Sequence, residues 1–150
     1  TGSAVVGGVV KLRASDGLIM TAPGLVGSSP QGIVFDGASV WVANYGSGTI
    51  TKLLASAGTL VGTYNVGSNP QGVVFDGVNI WVANNGGGTV TKLLASNGSL
   101  VGTYTVGTNP SGIAFDGANI WVVNYGSGTV TKLDKEALVN SSLLGVPDTA

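Results

Sequence analysis

A repeat constrains this chain more than any other feature. From Pro30 it reads PQGIVFDGASVWVANYGSGTITKLLASAGTLVGTYNVGSN, and from Pro70 PQGVVFDGVNIWVANNGGGTVTKLLASNGSLVGTYTVGTN. From Pro110 it reads PSGIAFDGANIWVVNYGSGTVTKL and then diverges. The period is 40 residues. Phe35, Phe75 and Phe115 fall in register, as do Trp41, Trp81 and Trp121, and Lys52, Lys92 and Lys132. Ahead of Pro30, Lys11-Leu12-Arg13-Ala14-Ser15-Asp16-Gly17 parallels Lys52-Leu53-Leu54-Ala55-Ser56-Ala57-Gly58, with one residue deleted before Ser29-Pro30. A chain of this kind folds as a row of like units, each burying its faces on its neighbours. The units run over 1–29 (partial), 30–69, 70–109 and 110–150, within a single domain spanning 1–150.

Each unit carries four strand signals. In the first complete unit they are Gly32–Phe35, Val40–Ala43, Thr49–Leu54 and Leu60–Val66. Asp36-Gly37, the run from Asn44 to Gly48, and Gly67-Ser68-Asn69-Pro70 punctuate them. Asp-Gly and Gly-rich turns supply the positive φ that tight hairpins need. The first two strands are apolar on both faces, as a strand sandwiched between sheets should be. The third alternates small polar and apolar residues. Four antiparallel strands every 40 residues predict an all-β chain of β-propeller blades, about 3.75 of them.

Composition narrows the function. Charged residues are 9% of the chain, against roughly 25% in an average soluble domain. The net charge of -1 and six scattered Lys/Arg make no basic patch, which argues against nucleic acid. Every apolar run is interrupted before 18 residues, so no membrane-inserting helix is expected. There is no Cys and no His. Thiolate chemistry, zinc-thiolate sites and a Ser-His-Asp arrangement are therefore excluded. Thr1-Gly2-Ser3-Ala4 reads as a processed or trimmed end, and the composition leans towards an extracellular or cell-surface setting. Asn97-Gly98-Ser99 and Asn140-Ser141-Ser142 match the glycosylation tripeptide.

The motif GIxFDGxxIWVANxGSGTVTKL resembles the propeller repeats of the virginiamycin B lyase-like and YVTN/NHL-like group, over Lys11 to Leu133. The resemblance implies the blade fold, in a group that includes lyases, binding modules and surface proteins. Lyases of the group use a His base and a metal held by acidic residues. With no His, that chemistry does not carry over, and no cofactor is expected.

Propellers hold about 4 to 8 blades, so this chain is expected to form an arc that other chains complete. The apolar end segments are candidate subunit contacts: Val5, Val6, Val9 and Val10 at one end, and Leu138, Val139, Leu143, Leu144 and Val146 at the other. Unpaired strand edges there would recruit another chain by strand addition. If the rotation between copies closes, a ring results; otherwise a filament. A piece of a longer repeat chain, or a complete four-bladed ring, is the alternative.

The repeated polar and aromatic residues each admit two readings. Asp36, Asp76 and Asp116 could ring a channel mouth and bind a hard cation, or each could close its own Asx turn; the second is preferred. Trp41, Trp81 and Trp121 could line a sugar pocket or pack between blades, where their N–H groups would need acceptors. The phenylalanines are read as core, and Lys52, Lys92 and Lys132 as a solvated stripe. Asn44, Tyr45, Asn84, Asn85, Asn124 and Tyr125 could form an adaptable rim for a glycan or surface protein, or serve turns and lateral contacts. Asp134 and Glu136 are poor material for paired-carboxylate catalysis. The chain thus reads as a non-enzymatic extracellular structural protein that assembles with copies of itself. The alternative is a glycan- or protein-binding module that uses the rim.

Overall fold

The computed structural model describes residues 7–20, 24–136 and 142–145, the last as backbone only. All its regular structure is β. β1 (Gly7–Val9) and β2 (Gly24–Val26) form a two-stranded sheet. β3 (Pro30–Phe35), β4 (Ser39–Asn44), β5 (Thr49–Leu54) and β6 (Leu60–Asn65) form the first full blade. β7 (Pro70–Phe75), β8 (Asn79–Asn84), β9 (Thr89–Leu94) and β10 (Leu100–Thr105) form the second. β11 (Pro110–Phe115), β12 (Asn119–Asn124), β13 (Thr129–Asp134) and β14 (Ser142–Gly145) form the third. Every pairing is between sequence neighbours and antiparallel.

The Asp-Gly turns explain the first hairpin of each blade. Gly37 has φ 101°, with Gly77 and Gly117 close to it, a region barred to most side chains. β3, β7 and β11 each carry a register shift between the proline and the residue three places on. The glycine inside that shift lets inner strands approach. A Cβ on Gly32 would run into the Gln71 carbonyl, and one on Gly72 into the Ser111 carbonyl.

The core lies between blades. Trp41 and Ile50 of the first blade pack with Ile80, Val82, Leu93 and Ala95 of the second. Trp81, Val90 and Tyr104 of the second pack with Ile120, Val122 and Leu133 of the third. Val9 and Val26 of the two-stranded sheet pack on Val40, Val42 and Leu53. The cross-strand register shows what that sheet is. Val9↔Gly24 matches Ile50↔Tyr64, and the Leu12↔Ile19 bridge matches Leu53↔Leu60. β1 and β2 are thus the outer half of a blade.

The arc is open: among the described residues no core cluster joins the third blade to the half-blade. Two sequence expectations are corrected here. Lys52 and Lys92 are not a solvated stripe, being only 8% and 6% exposed, because each lies over its own blade's tryptophan and reaches the next blade. Phe35 is not core, whereas Phe75 and Phe115 pack between blades. Phe35 lies on the side of the half-blade, which has no inner strands among the described residues, and is 56% exposed.

Candidate functional site

Each repeated aspartate is consumed by its own turn. Asp36 Oδ1 accepts the Ala38 and Ser39 amides at 2.9 and 2.7 Å, and Oδ2 accepts Trp41 Nε1–H at 2.7 Å. Asp76 holds Trp81 and Asp116 holds Trp121 in the same way, each at 2.7 Å. This is the acceptor the indoles needed. Burial pushes the Asp36 and Asp76 carboxyls up, but the indole and amide donors outweigh it and hold both below the ordinary value. At Asp116 the Trp121 hydrogen bond leads, and the carboxyl is held far below that value. Among the described residues no three His, Cys, Asp or Glu side chains converge as metal ligands. Asp134, the other acidic candidate, uses Oδ1 to accept the Glu136 amide at 3.0 Å.

The expected rim divides in two. Asn44, Asn84 and Asn124 lie fully inside the blades rather than on a rim. Asn44 Nδ2 donates to Thr49 and Thr51 Oγ1 at 3.0 and 2.9 Å, and the other two repeat the pattern. They staple the turn between a blade's second and third strands. Their neighbours Tyr45 and Asn85 are half-buried and work between blades. The Tyr45 carbonyl accepts Asn69 Nδ2 at 3.2 Å, and Asn85 Nδ2 donates to the Pro110 carbonyl at 3.2 Å. Tyr125 holds the same position at the open end and is 82% exposed.

The lysines connect successive blades. Lys52 Nζ stands 4.9 Å from the Trp41 ring centre and donates to the Ala95 carbonyl at 2.7 Å. Lys92 repeats this over Trp81, donating to the Lys135 carbonyl at 2.6 Å. Lys11 of the half-blade reaches the Ala55 carbonyl at 3.1 Å. For Lys52 and Lys92 the aromatic face and the carbonyl replace water around the ammonium. Sequence reading missed this role, although the Trp41↔Lys52 pairing was available from hairpin register.

Among the described residues two blade faces lack neighbours. On the third blade, Gly112 and Ala114 are exposed, Trp121 is only half-buried and Val123 is 50% exposed, while Trp41, Ala43, Trp81 and Ala83 at the same places are fully buried. A Cβ on Gly112 would meet nothing closer than Val123, unlike Gly32 and Gly72. At the other end Ile33 and Phe35 are each 56% exposed. Of the terminal contact candidates, Val9 packs into the half-blade core and Val10 is 47% exposed. Leu143 and Leu144 lie on β14, and Val5, Val6, Leu138, Val139 and Val146 lie outside the described residues.

Four-stranded antiparallel sheets, repeated and packed face to face around inner strands, define a β-propeller blade array. Solved structures agree. The chain is similar to Kuenenia stuttgartiensis hydrazine synthase, at TM-score 0.72 and 21% identity over 79% of this chain and 36% of that one. It is similar to the computationally designed Ika4 protein, at TM-score 0.67 and 17% identity over 81% and 74%. It is also similar to Myxococcus xanthus glutaminyl cyclase, at TM-score 0.63 and 13% identity over 89% and 60%. The chain thus spans about a third of the hydrazine synthase chain, and at these identities the likeness shows the fold. No family model and no curated protein matches the sequence.

Proposed function

We propose that this chain is a non-enzymatic structural building block that joins copies of itself head to tail through its two open faces. One observation carries the reading: the face of Gly112, Ala114, Trp121 and Val123 occupies the positions of the interior blade faces, with Ala114 for Val34 and Val74 and Val123 for Ala43 and Ala83, yet among the described residues has no blade against it. An exposed apolar face of this kind is an interaction surface, and the interior junctions show what it fits. The complementary face is the one bearing Ile33 and Phe35. Low charge assists, since few ionic groups are desolvated on contact. The extracellular or cell-surface setting, and kinship with the virginiamycin B lyase-like and YVTN/NHL-like repeats, belong to the same proposal. Supporting a non-catalytic role, the three repeated carboxylates are committed to turns and indoles.

Light scattering over a concentration series tests the reading, with electron microscopy of the same samples. Mass should rise with concentration, and images should show closed rings or filaments. A 14.8 kDa particle at every concentration would overturn it. A glycan-binding rim is the weaker reading, because three of its six residues are buried and Asn85 is committed to the next blade.

A further inference from the structure

At each interior junction the tryptophan of one blade enters a pocket on the blade that follows. Trp41 packs with Ile80, Leu93 and Ala95 of the second blade, and Trp81 with Ile120 and Leu133 of the third. A lysine closes each pocket by lying over the ring and donating to a carbonyl of the following blade. The first full blade carries the same pocket on its other side. Val40, Leu53 and Ala55 are the register counterparts of Ile80, Leu93 and Ala95, and Lys11 donates to Ala55 as Lys52 does to Ala95. Together with Val9 and Ile33 they line a cleft of about 260 Å³. The chain's three tryptophans all lie elsewhere.

Two further observations identify the occupant. β5 and β9 pair inward with the tryptophan strands β4 and β8, while β1, their counterpart, pairs among the described residues only with β2. Among the described residues Trp121 is the one repeat tryptophan with no following blade, and it is the only one of the three that is not fully buried. We infer that the cleft receives Trp121 of a second copy, carried on that copy's β11–β12 hairpin. The half-blade of one copy and the last blade of the other then share one blade position. Its outer half is offered twice, by β1–β2 of the acceptor and β13–β14 of the donor, and one pair must give way on docking because both cannot occupy the same place. Lys11 and Lys132 are register counterparts, so either pair covers the indole with a lysine; Lys132 Nζ already stands 5.5 Å over the Trp121 ring. This inference rests on the head-to-tail reading and names its junction.

The probe is a fluorescein-labelled peptide of residues 110–124, PSGIAFDGANIWVVN, titrated into the full chain and read by anisotropy, with mass measured in the same samples. Saturable binding is expected, with a drop of at least tenfold in affinity for the Trp121→Ala peptide and for the Ile33→Glu chain. Ile33 is exposed, so that variant keeps its fold, which circular dichroism checks. The peptide should also lower the mass of assembled chain. Absence of saturable binding, or equal binding by the Trp121→Ala peptide, overturns the pocket. If the chain assembles but the peptide neither binds nor competes, the pocket falls and assembly stands. If the chain stays monomeric, a second copy is overturned as the occupant and self-assembly falls with it, even where the peptide binds in a tryptophan-dependent way.

Discussion

Asp76 shows how much one repeated residue does. It sits 5% exposed and accepts an indole N–H and two amides. Replacing it by alanine leaves those donors facing apolar surroundings, so urea unfolding should show a loss of about 2–3 kcal/mol. Asparagine at this site keeps one acceptor and should lose less. The same carboxylates set the acid response. All three are held below the ordinary carboxyl value in the folded chain. Their contribution is therefore complete above about pH 4 and lost as pH falls through the folded values. Urea midpoints should be flat from pH 7 to 5 and fall steeply below about pH 4. The Asp76→Asn variant should show a shallower fall.

At the scale of the element, the inner strands make matched tests of the interior and end junctions. Gly72→Ala drives a methyl into the Ser111 carbonyl, and β7 and β11 must part to admit it. A cost of about 1–3 kcal/mol in thermal or urea unfolding is expected. Gly112→Ala meets only Val123, at an ordinary contact distance of 3.8 Å, and should leave monomer stability unchanged to within about 0.5 kcal/mol. If another copy's inner strand lies there, the same substitution should weaken association measured by sedimentation. The element also shows why blades need neighbours. The second strands β4 and β8 are buried over nearly their whole length, and such strands are stable only when sheets cover both faces.

For the whole molecule, the consequence is an arc with unlike ends. One end presents a complete blade with a half-open tryptophan. The other presents half a blade, a strand edge unpaired among the described residues and an apolar cleft. If copies join as proposed, unlike ends make a heterologous contact, which yields a ring or an open filament depending on the angle between copies. Val123→Glu places a charge on the exposed face at the far end from the half-blade. Circular dichroism of the variant should match the parent, because Val123 is half exposed, while light scattering should show only monomer.

The 40-residue period, the Asp-Gly turns and the alternation of short apolar runs made the blades legible before any coordinates. Hairpin chemistry is local, and those residues state it directly. The aspartate turn and the indole's need for an acceptor were legible for the same reason, since both lie within five residues. Burial of Asn44, the lysine reach from one blade to the next and the exposure of Phe35 were not. The lysine reach and the Phe35 exposure depend on which sheet lies across the gap, some 40 residues away in the chain, whereas Asn44 is buried by the folding of its own hairpin, as Asn124 is at the open end. The repeat makes every unit look alike. Only packing distinguishes an interior face from an end, because identical side chains are buried where a neighbour exists and left in water where it does not.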